Sequence, residues 1–153
     1  MTEKKFIICD LDGTLSNSSH RAHLAQQGLW DDFHAAGKDD AVNEAVAWFL
    51  DNSSRFGNAI VVVLTGRNER YRNATCDWFF RHKLTKVIDQ LIMRPDNDYT
   101  PDIDLKPKLL FDYFLTKEIA LQRVLMMLED RDKMVARWRD LGFDCWQVNV
   151  GTY

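Results

Sequence analysis

The stretch ICDLDGTLS, residues 8–16, decides the fold, because a short apolar run ends there in two aspartates one residue apart. The apolar run FIIC, residues 6–9, predicts a short buried strand. Asp10 and Asp12 follow this strand directly, and a Gly-Thr pair then ends the extended pattern as a turn would. Carboxylates this close repel each other unless a cation lies beside them. The stretch therefore indicates a strand that ends at a divalent-metal site.

Length and composition are those of one ordinary globular domain, which we place at residues 1–153. Hydrophobic residues make up 46% and charged residues 28% of the chain, which fits a domain with a sizeable core. The net charge of −3 gives no overall positive potential that would attract nucleic acid, although a local basic patch could still bind it. No apolar run reaches the roughly 20 residues of a membrane span, and no signal-peptide segment is recognisable. Three widely separated cysteines indicate neither a disulfide framework nor a CxxC site, so we expect a cytoplasmic protein.

Strand-like and helix-like runs alternate along the chain. The predicted strands are FIIC (6–9), AIVVVL (59–64), VIDQLIM (87–93), RVLMML (123–128) and DCWQV (144–148). The predicted helices cover 41–50, 71–79, 107–115 and 134–141. A polar loop is expected at 94–104, and Pro107 suits the first position of the helix after it. Trp78, Trp138 and Trp146 fall in these patterns and are predicted to be core residues. The order of elements predicts a three-layer α/β sandwich with a mainly parallel sheet.

Polar side chains follow three of the predicted strands at the point where each strand ends. They are Asp10 and Asp12, then Thr65, Gly66 and Arg67, and finally Glu129 and Asp130. Lys106 opens the helix that precedes the last of these strands. Because active sites of such sheets lie at the carboxyl ends of the strands, we expect these groups to lie together. The carboxylates are oxygen ligands of the kind that Mg²⁺ prefers.

The grouping predicts chemistry on a phosphate. Mg²⁺ would neutralise phosphate oxygens and let one carboxylate attack phosphorus, which gives an aspartyl-phosphate. A second carboxylate two residues on would donate a proton to the leaving oxygen and later activate water. The Gly13–Thr14 turn would present backbone N–H groups to the anion, and Thr65 would hold a phosphate oxygen. Lys106 would screen the crowded negative charge.

Four motifs in this order resemble those of the haloacid dehalogenase-like (HAD) phosphohydrolases. They are DLDGTL at 10–15, LTGR at 64–67, Lys106, and the acidic pair at 129–130. The resemblance spans nearly the whole chain and implies the family's Rossmann-like core. It implies that Asp10 is the nucleophile and Asp12 the general acid and base. It also implies that Mg²⁺ binds the Asp10 side chain, the Asp12 backbone carbonyl and Asp130, with Glu129 beside the metal.

A narrower likeness concerns residues 128–148, together with LIMRPDNDYTPD before them. This part is similar to the phosphatase domain of phage polynucleotide kinase/phosphatases, and the likeness covers the C-terminal half best. It implies an enzyme that removes 3′-phosphates from nucleic-acid ends, and a viral or bacterial source. The chain contains no GxxxxGK[ST] motif, so we expect no P-loop kinase domain in it.

The segment 16–40 is expected to be a small cap insertion, and no gap between the motifs has room for a large lid. An open site of this kind would admit a strand end, a nucleotide or another small phosphate ester. Within the segment, Arg21 could grip a phosphate while Trp30 or Phe33 stacks on a base. The alternative is that these residues form the small cap's own packing.

The sequence leaves more than one role possible for three further arginines. Arg67 is expected to contact phosphate, or else to cap the helix that follows it. Arg94 is expected to contact substrate phosphate, or else to pair with Asp96 or Asp98. Arg131 is expected to order Glu129 or another neighbouring acid rather than to bind substrate.

Two classes of function are compatible with these observations. The first is an Mg²⁺-dependent phosphatase acting on nucleic-acid 3′ ends, with a nucleotidase or a broad small-molecule phosphomonoesterase as the alternative. The second is a non-catalytic HAD-like module that only binds. A module without activity would be expected to lose Asp10 or Asp12, and both are present. The sequence therefore favours the enzyme.

Overall fold

Strands and helices alternate along the chain in the predicted order. The computed structural model describes residues 3–151. Its strands are β1 (Lys5–Cys9), β2 (Ser16–Asn17), β3 (Ala41–Val42), β4 (Ala59–Asn68), β5 (Gln90–Arg94), β6 (Val124–Glu129) and β7 (Cys145–Gln147). Its helices are α1 (Ala22–Gln26), α2 (Trp30–Ala36), α3 (Glu44–Arg55), α4 (Arg72–Arg81), α5 (Asp102–Thr116) and α6 (Asp132–Asp140).

β1 is the central strand of a parallel sheet with the order β5-β4-β1-β6-β7. Its last residue, Cys9, lies opposite Val63 of β4 and Leu128 of β6. The polar groups that follow these positions therefore meet at one edge of the sheet, which is the arrangement that the sequence predicts.

Helices cover both faces of this sheet, because successive strand residues point to opposite sides. Ile7 and Cys9 of β1 belong to the apolar cluster that includes side chains of α3 and α4, whereas Phe6 and Ile8 belong to the cluster that includes those of α5 and α6. The fold is thus the predicted three-layer α/β/α sandwich. Within residues 3–151, no helix has both the length and the apolar character needed to cross a membrane.

The segment between β1 and α3 forms a small insertion. β2 and β3 pair antiparallel at its base, with Ser16 opposite Val42. The short helices α1 and α2 lie between these two strands in the chain. Phe33 of α2 is buried, so the insertion has an apolar interior of its own. The predicted 16–40 insertion corresponds to this unit.

Helix α5 begins five residues earlier than predicted. The sequence places Pro107 at its first position, but the helix starts at Asp102 and Pro107 lies inside it. A proline inside a helix has no N–H for the carbonyl four residues before it, which here belongs to Ile103. Arg137 of α6 donates from Nε to that carbonyl at 3.4 Å. A donor from a neighbouring helix therefore compensates for the missing bond, and the predicted 94–104 loop ends at residue 101.

Trp146 does not lie in the core as predicted. Trp78 and Trp138 are buried, whereas Trp146 is 58% exposed. It belongs to β7, which has three residues and lies at the edge of the sheet. Cys145, on the other face of β7, packs with α6, while the Trp146 ring lies 5.8 Å from the ring of Phe49. Strand periodicity predicted that Cys145 and Trp146 point to opposite faces of β7. It could not predict that the face carrying Trp146 is exposed to solvent.

Candidate active site

The sheet brings three acidic side chains together beside β1. Asp10 follows β1, and Glu129 and Asp130 lie at the end of β6. One oxygen from each carboxylate lies within 4.8 Å of the others, and all three residues are buried. Three buried carboxylates at this spacing match the oxygen ligands of a divalent cation such as Mg²⁺.

The electrostatics of this acidic cluster also fit a cation. Burial and the neighbouring Glu129 carboxylate raise the pKa of Asp10 well above its ordinary value, although Lys106 opposes the rise. Burial and Glu129 likewise raise the pKa of Asp130 to about 7. Thr14 donates from its hydroxyl to Asp130 at 3.2 Å and to Asp10 at 3.4 Å. A positive ion between the carboxylates would relieve the repulsion that causes these shifts.

Lys106 supplies one positive charge to this cluster. Its Nζ donates to Asp10 Oδ1 at 2.6 Å and to Glu129 Oε2 at 3.0 Å. Burial lowers the pKa of Lys106, but the two carboxylates outweigh burial and raise it. Lys108 instead pairs with Asp112 at the surface. The geometry therefore agrees with the choice of Lys106 over Lys108.

Asp12 is held by two arginines rather than facing the acidic cluster. Arg21 donates from Nη2 to Asp12 Oδ1 at 2.5 Å, and Arg67 also donates to this oxygen. Burial raises the pKa of Asp12, but the Arg67 and Arg21 charges outweigh burial and hold it well below its ordinary value. Any metal contact from Asp12 would thus come from its backbone, as the family resemblance implies.

Arg21 is buried behind Asp12, which changes the role that the sequence suggested for it. Besides Asp12, it donates to Asp40 Oδ1 at 2.7 Å and to the Phe33 carbonyl at 2.9 Å. Its guanidinium lies 4.0 Å from the centre of the Phe33 ring. The geometry therefore assigns Arg21 to the orientation of Asp12 and not to a grip on phosphate. Sequence reasoning missed Asp40, because nothing local marks an acid 19 residues away as a partner.

Arg67 does not cap the following helix, and its contact with phosphate stays a prediction. In addition to Asp12, it donates from Nη1 to the hydroxyl of Thr75 in α4 at 3.1 Å. Its backbone N–H donates to Thr65 Oγ1 at 3.1 Å. Arg67 lines the pocket, but its observed partners orient Asp12 rather than cap the following helix.

The Gly13–Thr14 turn does not offer its N–H groups to an anion as predicted. Gly13 N–H donates to Ser16 at 3.0 Å, and Thr14 N–H donates to Leu11 at 3.2 Å. Gly13 has a φ of +87°, and a Cβ there would come within 2.3 Å of Asp130 Oδ2. The glycine is needed because the turn passes directly against the acidic cluster.

Arg94 and Arg131 share one acid that the sequence analysis missed. Arg94 Nη2 donates to Asp102 Oδ1 at 2.5 Å, and Arg131 Nη2 donates to Asp102 Oδ2 at 2.5 Å. The expected pairing of Arg94 with Asp96 or Asp98 is wrong, since its side-chain ion pair is with Asp102. Arg131 does order a neighbouring acid as predicted, and that acid is Asp102. The shorter helix predicted for α5 left Asp102 in a loop, which concealed its position.

Gly66 is a residue of β4 and packs against Asp102 of this group. Its carbonyl accepts a hydrogen bond from Arg94 Nε at 2.9 Å. A Cβ at Gly66 would come within 2.5 Å of Asp102 Oδ1. Gly66 is therefore required for the close packing of Asp102, and it also lines the pocket.

An open pocket of about 570 Å³ lies above these groups. Asp10, Asp12 and Thr65 contribute to its lining, and so do Trp30 and His34 of α2 and the loop before α5. His34 was not singled out from the sequence. Its Nδ1 is buried and has no hydrogen-bond partner among the described residues, and burial lowers the pKa of this ring to about 4.

Comparisons with known proteins agree with this geometry. The family model of the polynucleotide kinase PNKP phosphatase domain matches residues 4–153. A chain of the Pnkp1/Rnl/Hen1 RNA repair complex superimposes with a TM-score of 0.79 at 32% identity, over 98% of this chain and 44% of that chain. A second structure of the Pnkp1/Rnl/Hen1 complex gives 0.77 at 32% identity, over 100% and 49%. This chain thus spans about half the length of these relatives.

More distant structures show the same fold. A haloacid dehalogenase-like hydrolase from Streptococcus pneumoniae matches with a TM-score of 0.66 at 14% identity, over 95% of this chain and 84% of that chain. A search of curated protein sequences found no match. Since the family model covers nearly the whole chain, the chain belongs to the PNKP phosphatase-domain family and is a phosphatase with the HAD fold.

Proposed function

We propose that this phosphatase removes 3′-phosphates from nucleic-acid ends with Mg²⁺, through an aspartyl-phosphate on Asp10. The observation that carries the proposal is the position of Asp10, which shares a buried acidic cluster with Glu129 and Asp130 and is hydrogen-bonded to Lys106. The preference for nucleic acid rests on family membership and on the relative in an RNA repair complex. A cytoplasmic location would suit such an enzyme.

The residues present fit Mg²⁺. The Asp10 and Asp130 carboxylates and the Asp12 backbone carbonyl would hold the ion, with Glu129 beside it. When bound, Mg²⁺ would neutralise phosphate oxygens so that a carboxylate can approach phosphorus. The raised pKa values of Asp10 and Asp130 support this assignment, because burial and the Glu129 carboxylate raise them and a cation bound between these carboxylates would oppose both effects.

The chain's own residues would perform the bond changes. An Asp10 carboxylate oxygen would form a bond to phosphorus while the bond from phosphorus to the ester oxygen breaks. Water would then attack the aspartyl-phosphate, which releases inorganic phosphate and restores the carboxylate. Lys106 would fix the orientation of Asp10 through its 2.6 Å hydrogen bond. Thr65, in the neighbouring strand β4, would contact a phosphate oxygen.

Asp12 would move the protons. Held by Arg21 and Arg67, it is a carboxylate that can accept a proton from the attacking water. Donation of a proton to the leaving oxygen requires Asp12 to be protonated first. Weakening of one guanidinium contact by substrate would favour that state, because these charges are what lower its pKa.

A nucleotidase or small-molecule phosphomonoesterase is the second candidate. The open pocket of about 570 Å³ favours it, since a mononucleotide would fit there without a strand. Asp10, Lys106 and the acidic cluster would perform the same chemistry on either substrate.

A substrate panel tests the proposal. Phosphate release is measured from 3′- and 5′-phosphorylated oligonucleotides and from 3′- and 5′-mononucleotides, with Mg²⁺ and with excess chelator. We expect the highest kcat/KM for the 3′-phosphorylated oligonucleotide, no turnover in chelator, and a loss on the order of 1000-fold or more in Asp10→Asn. Asp51→Asn, which changes an acid paired with Arg55 away from the site, is the control. A preference for mononucleotides would overturn the substrate, and retained turnover in Asp10→Asn would overturn the nucleophile.

A further inference from the structure

We propose that Trp30 and Tyr99 hold the terminal nucleobase of the phosphorylated strand end. This inference rests on the proposed function and names what the pocket recognises beyond the phosphate. Both residues line the pocket that contains Asp10 and Asp12. Trp30 begins helix α2 of the insertion, while Tyr99 lies in the loop between β5 and α5. Two separate parts of the chain therefore contribute an aromatic ring to one pocket.

Packing in the core does not explain the position of either aromatic ring. Trp30 is 49% exposed and Tyr99 is 88% exposed. A single exposed aromatic residue is common on a protein surface, but here two exposed rings line the same pocket as Asp10. An aromatic ring stacks on any of the bases, since each base has a π-face. The chemistry of the two rings thus fits a nucleobase.

The structure holds the backbone on both sides of Tyr99 and packs the Trp30 ring against a buried neighbour. The carbonyls of Asp98 and Thr100, on either side of Tyr99, accept hydrogen bonds from Arg94 Nη1 at 2.9 and 2.7 Å. The Trp30 ring lies edge-on to Phe33 at 5.8 Å, and Phe33 packs under Arg21. Segments positioned in advance lose less conformational entropy on binding. Arg94 therefore fixes the loop that carries Tyr99, and Arg21 packs against Phe33, which in turn contacts Trp30.

The charges of the pocket disfavour recognition of the nucleic acid through its phosphate backbone. Arg67 pairs with Asp12, Arg70 with Asp31, and Arg94 with Asp102. Arg131, which also lines the pocket, shares Asp102 with Arg94, and the lining contains further acids in Asp10 and Asp98, so the positive charges of the pocket are balanced by carboxylates. Attraction to a long run of phosphates is therefore weak here, and stacking of the end base is left as the main contact outside the phosphate site.

The test compares two 3′-phosphorylated oligonucleotides that differ only at the last nucleotide, which either carries its base or is abasic. For the wild-type protein we expect kcat/KM to be between about 5-fold and 150-fold higher with the base, the range for one base–aromatic stack. Trp30→Ala and Tyr99→Ala should each reduce this ratio, and Trp30→Phe should largely retain it. Trp48→Ala and Phe56→Ala, which remove exposed rings outside the pocket, should leave the ratio unchanged.

A binding measurement separates stacking from catalysis. In the Asp10→Asn background, fluorescence anisotropy should show weaker binding of the base-bearing oligonucleotide when Trp30 or Tyr99 is replaced by Ala. Equal kcat/KM for base-bearing and abasic ends in the wild type would overturn the aromatic site while leaving the 3′-phosphatase proposal intact. If the replacements lower turnover of both oligonucleotides by the same factor, the rings are structural and the inference is wrong. Absence of turnover with either oligonucleotide would defeat the proposed function itself.

Discussion

Asp12 is oriented by a chain of buried charges. It accepts hydrogen bonds from Arg21 and Arg67, and Arg21 also donates to the buried Asp40. A guanidinium is a rigid planar fork that can serve two carboxylates at once, which a lysine cannot do in the same geometry. The orientation and the protonation of Asp12 thus depend on Arg21, which is buried behind it, and on Arg67, which lines the pocket.

Removal of Arg21 is expected to be costly. Arg21→Ala would leave Asp40 buried with only part of its compensation, so the free energy of unfolding should fall by about 3–5 kcal/mol. Urea denaturation followed by circular dichroism measures this change. Arg55→Ala, which removes an exposed ion pair with Asp51 on α3, should change the value by no more than about 0.5 kcal/mol. Equal effects of the two substitutions would contradict the role given to Arg21.

His34 should make stability depend on pH. Its pKa is about 4 in the folded chain and 6.5 in its ordinary state, because burial disfavours the charged ring. Between these values the unfolded chain binds a proton that the folded chain does not. The free energy of unfolding should therefore fall as pH drops from about 6.5 to about 4, by at most about 3 kcal/mol from this group.

The variant His34→Gln isolates this contribution. It removes the titrating ring, so its free energy of unfolding should fall less than that of the wild type over the same pH interval. Chemical denaturation at pH 7 and pH 4 gives the comparison. Parallel pH profiles for the two proteins would show that His34 titrates normally in the folded state.

At the scale of elements, helix α5 connects two halves of the site. Asp102 and Lys106 are four residues apart and so lie on the same face of the helix. Asp102 pairs with Arg94 and Arg131, while Lys106 reaches Asp10 and Glu129. This face exists because the helix starts at Asp102 and continues through Pro107.

The turn after β1 gives a prediction with a matched control. Gly13 and Gly142 have nearly equal φ values of +87° and +88°, but only the Gly13 position is crowded, because a Cβ added there would lie 2.3 Å from Asp130 Oδ2. Both Gly→Ala changes should cost roughly 1 kcal/mol for the left-handed backbone. Gly13→Ala should cost more and should also abolish phosphate release, because Asp130 must move. If Gly13→Ala matched Gly142→Ala in stability and activity, the turn would not be packed as described.

At the scale of the molecule, the sheet gathers acidic groups that are far apart in the sequence. Asp10 and Glu129 come from neighbouring strands of a parallel sheet whose carboxyl ends coincide. Folding therefore concentrates negative charge, and Lys106 compensates only part of it. A folded state with this arrangement should be stabilised by a cation that the unfolded chain does not bind.

Mg²⁺ should therefore raise the stability of the whole protein. At a free concentration 100 times the Kd, binding to the folded state alone adds about 2.7 kcal/mol. Thermal unfolding with Mg²⁺ or with chelator should show the corresponding rise in Tm, independently of any substrate. Asp130→Asn should reduce the rise. An identical Tm with and without Mg²⁺ in the wild type would contradict the proposed metal site.

The sequence by itself determined the architecture and the grouping of the acidic residues of the site. Apolar runs of strand length alternate with helical patterns along the chain. Such patterns depend on local periodicity, so they predicted the three-layer α/β/α sandwich. Asp10 and Asp130 follow strands that the sequence predicts, and Thr65 and Lys106 lie within β4 and α5 close to the predicted ends of those elements; the parallel sheet brings the strand ends to one edge. Their proximity could therefore be inferred without coordinates.

Only the tertiary structure decided which charges pair. Two of these pairs, Asp40–Arg21 and Asp102–Arg131, join residues that are 19 and 29 positions apart in the sequence. No local pattern specifies such partners. The start of α5 was also outside the reach of local rules, because Arg137 of another helix satisfies the carbonyl that Pro107 leaves free. Pairing and compensation of this kind depend on packing in three dimensions, whereas strand and helix patterns depend on neighbours in the chain.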